Sequence, residues 1–252
     1  MILWTPTHIK TLLPSIIVMI IIAVALRFTL GNKSLRIRKI PFQILACLLF
    51  ALEIAKQVIS LKEGYDLYHL PFHFCSILIF LPIIMAFYQG KYESTVCCIT
   101  SAATAAIFTL TAVYPNIIYS DTAVQEFTTE FFSFHTVAFH NVAMLLFLLI
   151  PALNLHQPKK GEIKKILLFI LGFCTVSASM AHILKTNFNN FYTCNIAPLE
   201  AVRVSVEKSL GSTAAAIFYV LIVTALNLAF VTGAYYFYRL LNLINKKSVY
   251  ER

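Results

Sequence analysis

The chain alternates long apolar runs with short polar segments along its whole length. Each run is long enough, at about 20 residues, to cross a bilayer as an α-helix. A transmembrane β-barrel would instead alternate apolar and polar residues, and these runs do not. The pattern predicts an all-α, polytopic membrane protein, a single domain over residues 1–252 with seven transmembrane helices in one bundle. The predicted spans are residues 12–30, 40–61, 71–88, 94–114, 131–153, 166–184 and 213–238.

Lysine and arginine are concentrated on one side of these predicted spans. They follow the first, third and fifth spans and recur in the C-terminal tail, whereas the alternate connections hold few of them or are acidic. Positively charged connections stay in the cytoplasm. The distribution therefore predicts an N-terminus outside and a C-terminus in the cytoplasm, and we expect a multi-pass protein of the cell membrane.

Composition supports the membrane interpretation and limits the partners. Hydrophobic residues make up 59% of the chain and charged residues only 12%, whereas a soluble domain carries about 25% charged residues. The net charge of +9 arises in the short connections, so it reflects topology rather than a nucleic-acid partner. We expect membrane phospholipids or other acyl lipids as partners, no nucleic acid, no protein partner and no cofactor.

Polar residues interrupt four of the predicted spans at similar depth. Glu53, Lys56 and Gln57 follow one another at helical spacing in the second span. The others are His73 and Cys75 in the third span, His135 and His140 in the fifth, and His182 near the end of the sixth. With the predicted orientation, all of them fall in the outer half of the bilayer. Because ionisable groups inside a membrane usually face the bundle interior or water, the sequence predicts one polar cavity that opens outward.

Cys75 is the strongest candidate for a reactive group in this set. Pro71 suits the first turn of a helix, and a cysteine one turn further lies near the positive end of the helix dipole, where it becomes reactive. His73 is two positions from Cys75, about 200° around the helix, so it is poorly placed as the base. His135 is closest in depth and His140 is the second choice. We predict Cys75 and His135 as nucleophile and base, with an acyl-thioester intermediate.

Two other chemistries fit the same residues. His69 and His73 have i, i+4 spacing and form a possible zinc ligand set with His135, or with His140 or His182 in its place, as in a zinc-dependent lipid hydrolase. Pro71 weakens this alternative, because it places His69 outside the regular helix. The third alternative is a small-solute transporter or binding component. Its weakness is that the spans show no paired broken helices and no internal repeat.

Each residue also has a structural interpretation. Glu53 and Lys56 could form only an ion pair, and His140 could hydrogen-bond across a helix interface. His69 could extend to the membrane surface. Cys75 could be inert, or could form a disulfide with Cys194 of the outer connection.

Two short motifs carry a resemblance to a known group. They are Leu70-Pro-Phe-His-Phe-Cys75 and Phe131-Phe-Ser-Phe-His135, which opens the fifth span. The chain resembles the YwaF-type family of bacterial integral membrane proteins, and the resemblance extends over the second to seventh spans, including the Asn-Phe-Tyr192 region. That family is similar to a eukaryotic transmembrane acyltransferase that remodels ether phospholipids, and more distantly to androgen-induced-type lipid hydrolases with a Thr/His pair.

The resemblance implies that Cys75 accepts the acyl group and that His135 is its base. The expected function is a membrane-embedded lipid acyltransferase or acyl hydrolase with a cavity open to the outer leaflet. In that interpretation the supporting or substrate-binding residues are His73, His140, His182, Lys56, Glu53 and Gln57.

Overall fold

A computed structural model describes residues 4–159, 161–193 and 197–250, and this part of the chain contains helices and no strand. Four 3₁₀ turns connect some of the helices: Leu67–His69, Phe74–Ser76, Pro115–Ile117 and Phe188–Asn190. The helices are α1 Pro6–Leu30, α2 Leu35–Lys62, α3 Ile77–Phe87, α4 Glu93–Val113, α5 Asp121–Glu126, α6 Phe131–Ala152, α7 Glu162–Leu184, α8 Ala197–Leu210 and α9 Ser212–Tyr250.

Six of these helices in the described residues are long and apolar enough to cross a membrane: α1, α2, α4, α6, α7 and the Ser212–Asn242 part of α9. The all-α membrane architecture is therefore confirmed. The predicted third span is shorter as a helix, since only Phe74–Phe87 is helical. At 1.5 Å per residue this segment covers roughly 20 Å, less than the roughly 30 Å of the hydrocarbon core.

Helix α4 forms the centre of the bundle. It packs against α3, α6, α7 and α9. In its most apolar 18-residue stretch 67% of the residues are buried, compared with 22% in the corresponding stretch of α2. The alanines at positions 102, 103, 105 and 106 are fully buried. Small side chains allow neighbouring helices to approach closely in lipid, which explains why the Ser-, Thr- and Ala-rich run is the central helix.

The helix that carries Cys75 begins later than the sequence indicated. The prediction of a start at Pro71 is wrong, because helical backbone begins with the 3₁₀ turn at Phe74. Leu70 is extended, with φ −60° and ψ 146°, as the residue before a proline prefers. His73 is also extended. Cys75 therefore lies in the first helical turn, even closer to the helix start than expected.

Side chains of neighbouring helices support the non-helical backbone before α3. Gln57 Nε2 of α2 donates a hydrogen bond to the His69 carbonyl at 2.8 Å. Ser177 Oγ of α7 donates to the Phe72 carbonyl at 2.7 Å. Irregular backbone at membrane depth needs such partners, since lipid supplies none. The two bonds fix this segment between α2 and α7.

The two ends of the bundle carry different groups. Helix α2 ends and α3 begins at one end, which we call the Cys75 end. Helices α4 and α7 begin at the other, which we call the opposite end. The basic connections after α1, α3 and α6 lie at the opposite end.

Candidate functional site

A partly open cavity of about 830 Å³ lies at the Cys75 end. Its walls come from α2, the segment before α3, α4, the connections around α5, α6 and α9, together with the segment after α7. The polar and titratable side chains among the lining residues include Glu53, Lys56, His69, His73, Cys75, His135, His140 and Asn227. Residues from distant parts of the chain thus meet at one site.

Cys75 is half-buried, and it is one of the residues that line the cavity. The rest of its side chain packs against the main hydrophobic core. Its position in the first helical turn places the thiol beside the positive end of the α3 dipole. Cys75 therefore borders the cavity on one side and the hydrophobic core on the other.

Glu53 of α2 connects to His135 of α6 and is held by two residues of its own helix. Its Oε1 atom accepts hydrogen bonds from Gln57 Nε2 at 2.7 Å and from Lys56 Nζ at 2.8 Å. Its Oε2 atom lies 3.7 Å from His135 Nε2. His135 Nε2 is buried and has no hydrogen-bond partner among the described residues. The carboxylate therefore has one oxygen fixed and the other directed at the imidazole.

The other two histidines near Cys75 have fixed ring orientations. His140 Nδ1 donates to the Thr136 carbonyl at 2.8 Å, so its Nε2 atom carries the free lone pair. His73 Nε2 donates to the Tyr68 carbonyl at 3.0 Å, which holds this ring against the 3₁₀ turn. His140 thus retains a basic nitrogen, and it stays the second choice of base.

His69 closes the side of the cavity next to α6. Its ring stacks on Phe132 at a centroid distance of 4.4 Å, and its Nδ1 atom lies 2.7 Å from Ser60 Oγ. Burial lowers the pKa of His69 below its ordinary value. This histidine is therefore held by contacts and by burial in its neutral form.

The start of α6 positions His135. Glu130 is the N-cap, and its carboxylate accepts the backbone N–H of Phe132 at 2.8 Å and that of Ser133. Burial raises the pKa of Glu130, but the hydrogen bonds from Ser133 and Phe132 outweigh it and hold the pKa below its ordinary value. His135 follows about one turn later on the buried face, stacked on Phe139.

The structure excludes His182 from the cavity. The buried face of α7 carries Ser177 and Ala181, whereas His182 is exposed and its ring contacts Tyr192 at a centroid distance of 5.6 Å. No α7 residue of the described chain lines the cavity. His182 was selected by its predicted depth, and depth does not determine which face of a helix a residue occupies.

The zinc set of His69, His73 and His135 is not assembled either. His69 belongs to a 3₁₀ turn and His73 to extended backbone, so the two do not share the face that i, i+4 spacing gives in a helix. Within the described residues, the one group of three whose ligand atoms lie within 4.8 Å of one another is elsewhere. Cys194, the alternative disulfide partner of Cys75, lies outside the described residues.

Several asparagines in the cavity wall were missed by the sequence interpretation. Asn189 Nδ2 lies 3.4 Å from Asn227 Oδ1, and Tyr219 OH donates to the Asn190 carbonyl at 2.7 Å. Asn189 and Asn190 have positive φ angles of 49° and 60°, a conformation that asparagine tolerates better than most residues. The Asn-Asn pair in a connection was the available signal.

Comparison with known proteins places the chain in a family. The TMEM164 family matches residues 3–235, nearly the whole chain. The chain belongs to the TMEM164 family. No curated protein and no solved structure matches it. Membership agrees with the expectation of a multi-pass membrane protein, whereas the YwaF-type resemblance and the acyltransferase activity stay predictions.

Proposed function

We propose that this TMEM164-family protein is a lipid acyltransferase or acyl hydrolase with Cys75 as nucleophile and His135 as base. One observation carries the proposal: Cys75, at a helix start, shares a single cavity with the Glu53–His135 pair. A nucleophile, a base and a carboxylate that orients the base form the group used in covalent acyl transfer. These residues come from three helical segments, so their meeting is not a consequence of sequence proximity.

The cavity is amphipathic, as a lipid substrate requires. Besides its polar residues it is lined by apolar side chains: Ile107 and Leu110 of α4, and Val223, Leu226 and Phe230 of α9. A second, wholly apolar groove of about 550 Å³ lies between α2 and α3. It includes Ile54, the residue after Glu53. Apolar surface within the cavity and in the neighbouring groove suits an ester whose acyl chain remains in lipid.

The proposed reaction proceeds in two balanced steps. In the first, His135 removes the thiol proton while Cys75 Sγ attacks the ester carbonyl carbon. The C–O bond breaks, the leaving oxygen takes the proton from the imidazolium, and an acyl thioester remains. In the second step, a lipid hydroxyl or water gives its proton to His135 and attacks the thioester. The C–S bond breaks and the thiol regains its proton.

Glu53 and Lys56 have separate roles in this scheme. Glu53, 3.7 Å from His135 Nε2, stabilises the imidazolium that forms in each step, and leaves Nδ1 as the basic nitrogen. Lys56 forms an ion pair with Glu53 Oε1 and also lines the cavity. A cationic side chain there suits the phosphate of a phospholipid. Gln57 keeps Glu53 in place.

Charge determines the proposed orientation. The basic connections lie at the opposite end of the bundle, and positive connections stay in the cytoplasm. The Cys75 end then faces outward, and the cavity opens to the outer leaflet of the cell membrane. Helix α3 with its 3₁₀ turn completes a set of seven spans. With a helix shorter than the hydrocarbon core, Cys75 would lie at or just beneath the level of the lipid ester groups.

The experiment uses reconstituted protein and a phospholipid with a fluorescent acyl chain. Wild type is expected to release the fluorescent fatty acid or, when a lysophospholipid is added, to form a new fluorescent diacyl lipid. Cys75→Ala should abolish both products. Cys174→Ala, a buried cysteine of α7 that lines neither the cavity nor the groove, is the matched control and should retain activity. Activity that survives in Cys75→Ala would overturn the nucleophile assignment.

A further inference from the structure

A second polar cluster lies at the opposite end of the bundle. It consists of Cys98 of α4, His156 of the α6–α7 connection and Glu162 of the first turn of α7. All three residues are buried, with exposures of 0%, 6% and 7%. One ligand atom from each lies within 4.8 Å of the other two. The proposed acyl transfer uses none of them.

Neighbouring hydrogen bonds determine the tautomer of His156. Ser101 Oγ donates its hydrogen to the Cys97 carbonyl at 2.6 Å, so toward His156 Nδ1, 3.2 Å away, it can only accept. Nδ1 therefore carries the proton of the ring. His156 Nε2 is left with a lone pair that faces Glu162 Oε1 at 3.2 Å. Two acceptor atoms at this distance repel each other unless a proton or a cation lies between them.

The orientation of the Glu162 carboxylate is fixed through its other oxygen, Oε2. Its Oε2 atom accepts hydrogen bonds from Tyr235 OH at 2.9 Å and from the Lys159 backbone N–H at 2.8 Å. Both donors orient the carboxylate so that Oε1 points toward His156. This is the arrangement of a metal site, in which outer partners fix the ligands and the ring nitrogen that does not bind metal is also hydrogen-bonded.

We propose that Cys98, His156 and Glu162 bind a divalent transition metal of the zinc class. A thiolate, an imidazole and a carboxylate are the donors that zinc takes, in tetrahedral geometry. Nitrogen and oxygen ligands about 2.05 Å from a tetrahedral zinc are about 3.3 Å apart, close to the observed 3.2 Å between Nε2 and Oε1. The ion would join α4, α7 and the connection before α7.

The test measures zinc in the full-length protein, purified in detergent through a tag without histidines and without chelator. Elemental analysis should find about one zinc per chain in wild type. Cys98→Ala should lose most of it. Cys97→Ala is the matched control, since Cys97 is also buried but lies outside the ligand group, and it should retain the metal. A zinc chelator should lower the Tm of wild type and of Cys97→Ala.

The rival occupant of the gap between His156 and Glu162 is a proton. In that case wild type contains no stoichiometric zinc, and neither added zinc nor chelator changes its Tm, which would overturn the proposal. Zinc that persists in Cys98→Ala would place the metal elsewhere and overturn it too. If Cys98→Ala does not fold, cobalt-substituted wild type decides: a thiolate-to-cobalt absorption band supports the site, and its absence contradicts it.

Discussion

The Glu53 carboxylate of α2 lies 3.7 Å from the Nε2 atom of His135 on α6. Both residues line a cavity that Cys75 also lines. Lys56 and Gln57 fix the other carboxylate oxygen. The two residues are 82 positions apart in the sequence numbering, so only the fold brings them together. The pair gives a base whose orientation depends on a second helix.

Glu53→Gln tests the role of this pair. The amide keeps the size of the side chain but removes the charge that stabilises the His135 imidazolium. We expect the acyl-transfer rate constant to fall by about 100-fold or more, with a small change in Tm. Glu63→Gln, at the exposed end of α2, should leave the rate unchanged. An undiminished rate in Glu53→Gln would remove Glu53 from the mechanism.

Ser177→Ala tests how the segment before α3 is held. The change leaves the Phe72 carbonyl without its hydrogen bond, and an unsatisfied buried carbonyl costs about 1–3 kcal/mol. We expect a lower Tm and a slower acyl-transfer rate, because Cys75 follows this segment. Ser179→Ala is the control: its hydroxyl is exposed and bonds within its own helix. Equal Tm values for the two variants would contradict the role of Ser177.

Glu130→Ala removes the N-cap of α6. Two backbone N–H groups lose their acceptor, and loss of such a cap costs about 1 kcal/mol. The first turn of α6, which leads to His135, should loosen, and hydrogen exchange of the Phe132 and Ser133 amides should accelerate. Glu126→Ala, an exposed residue at the end of α5, should not change these amides. Unchanged exchange in Glu130→Ala would contradict the capping role.

The lowered pKa of His69 predicts that the folded protein loses stability in mild acid. Burial lowers its pKa in the folded protein; Lys56 and His135 add to this, whereas Asp66 and Glu53 oppose it. The unfolded chain then binds a proton more readily than the folded one. The contribution of neutral His69 to the free energy of unfolding is therefore fully present above the ordinary histidine pKa of about 6.5. This contribution is lost as the pH falls from there toward the lower pKa of the folded state.

Thermal unfolding of wild type and His69→Gln between about pH 7 and about pH 5.5 measures this effect. The decline in Tm should be smaller in His69→Gln, which has no group to titrate. His182→Gln, whose parent residue is exposed and lies outside the cavity, should decline like wild type. A decline of equal size in all three proteins would contradict the assignment to His69.

Hydropathy predicted which segments are helices, but not where the α3 helix begins. Phe72 and Phe74 are equally apolar whether the backbone is extended or helical. The hydropathy pattern therefore does not show that the backbone around Pro71 is extended rather than helical. Local backbone preference determined this boundary. The break matters because it brings Cys75 into the first helical turn.

Depth along the predicted spans selected several of the residues that line the cavity. Glu53, Cys75 and His135 were placed at one level, and the structure arranges them around one cavity. His182 was predicted at the same level but lies on an exposed face of α7, which depth alone does not distinguish. The cluster of Cys98 with His156 was not predicted, because the order of the helices that brings these residues together is not encoded in hydropathy.

The central claim is that an acyl group is transferred to Cys75. After brief incubation with a phospholipid of known acyl chain, mass spectrometry of the peptide that contains Cys75 should show the mass of that acyl group. Because neutral hydroxylamine cleaves thioesters, it should remove this acyl group. His135→Ala should prevent the acyl group from being attached. An acyl group on another residue, or wild-type turnover in Cys75→Ala, would contradict the account.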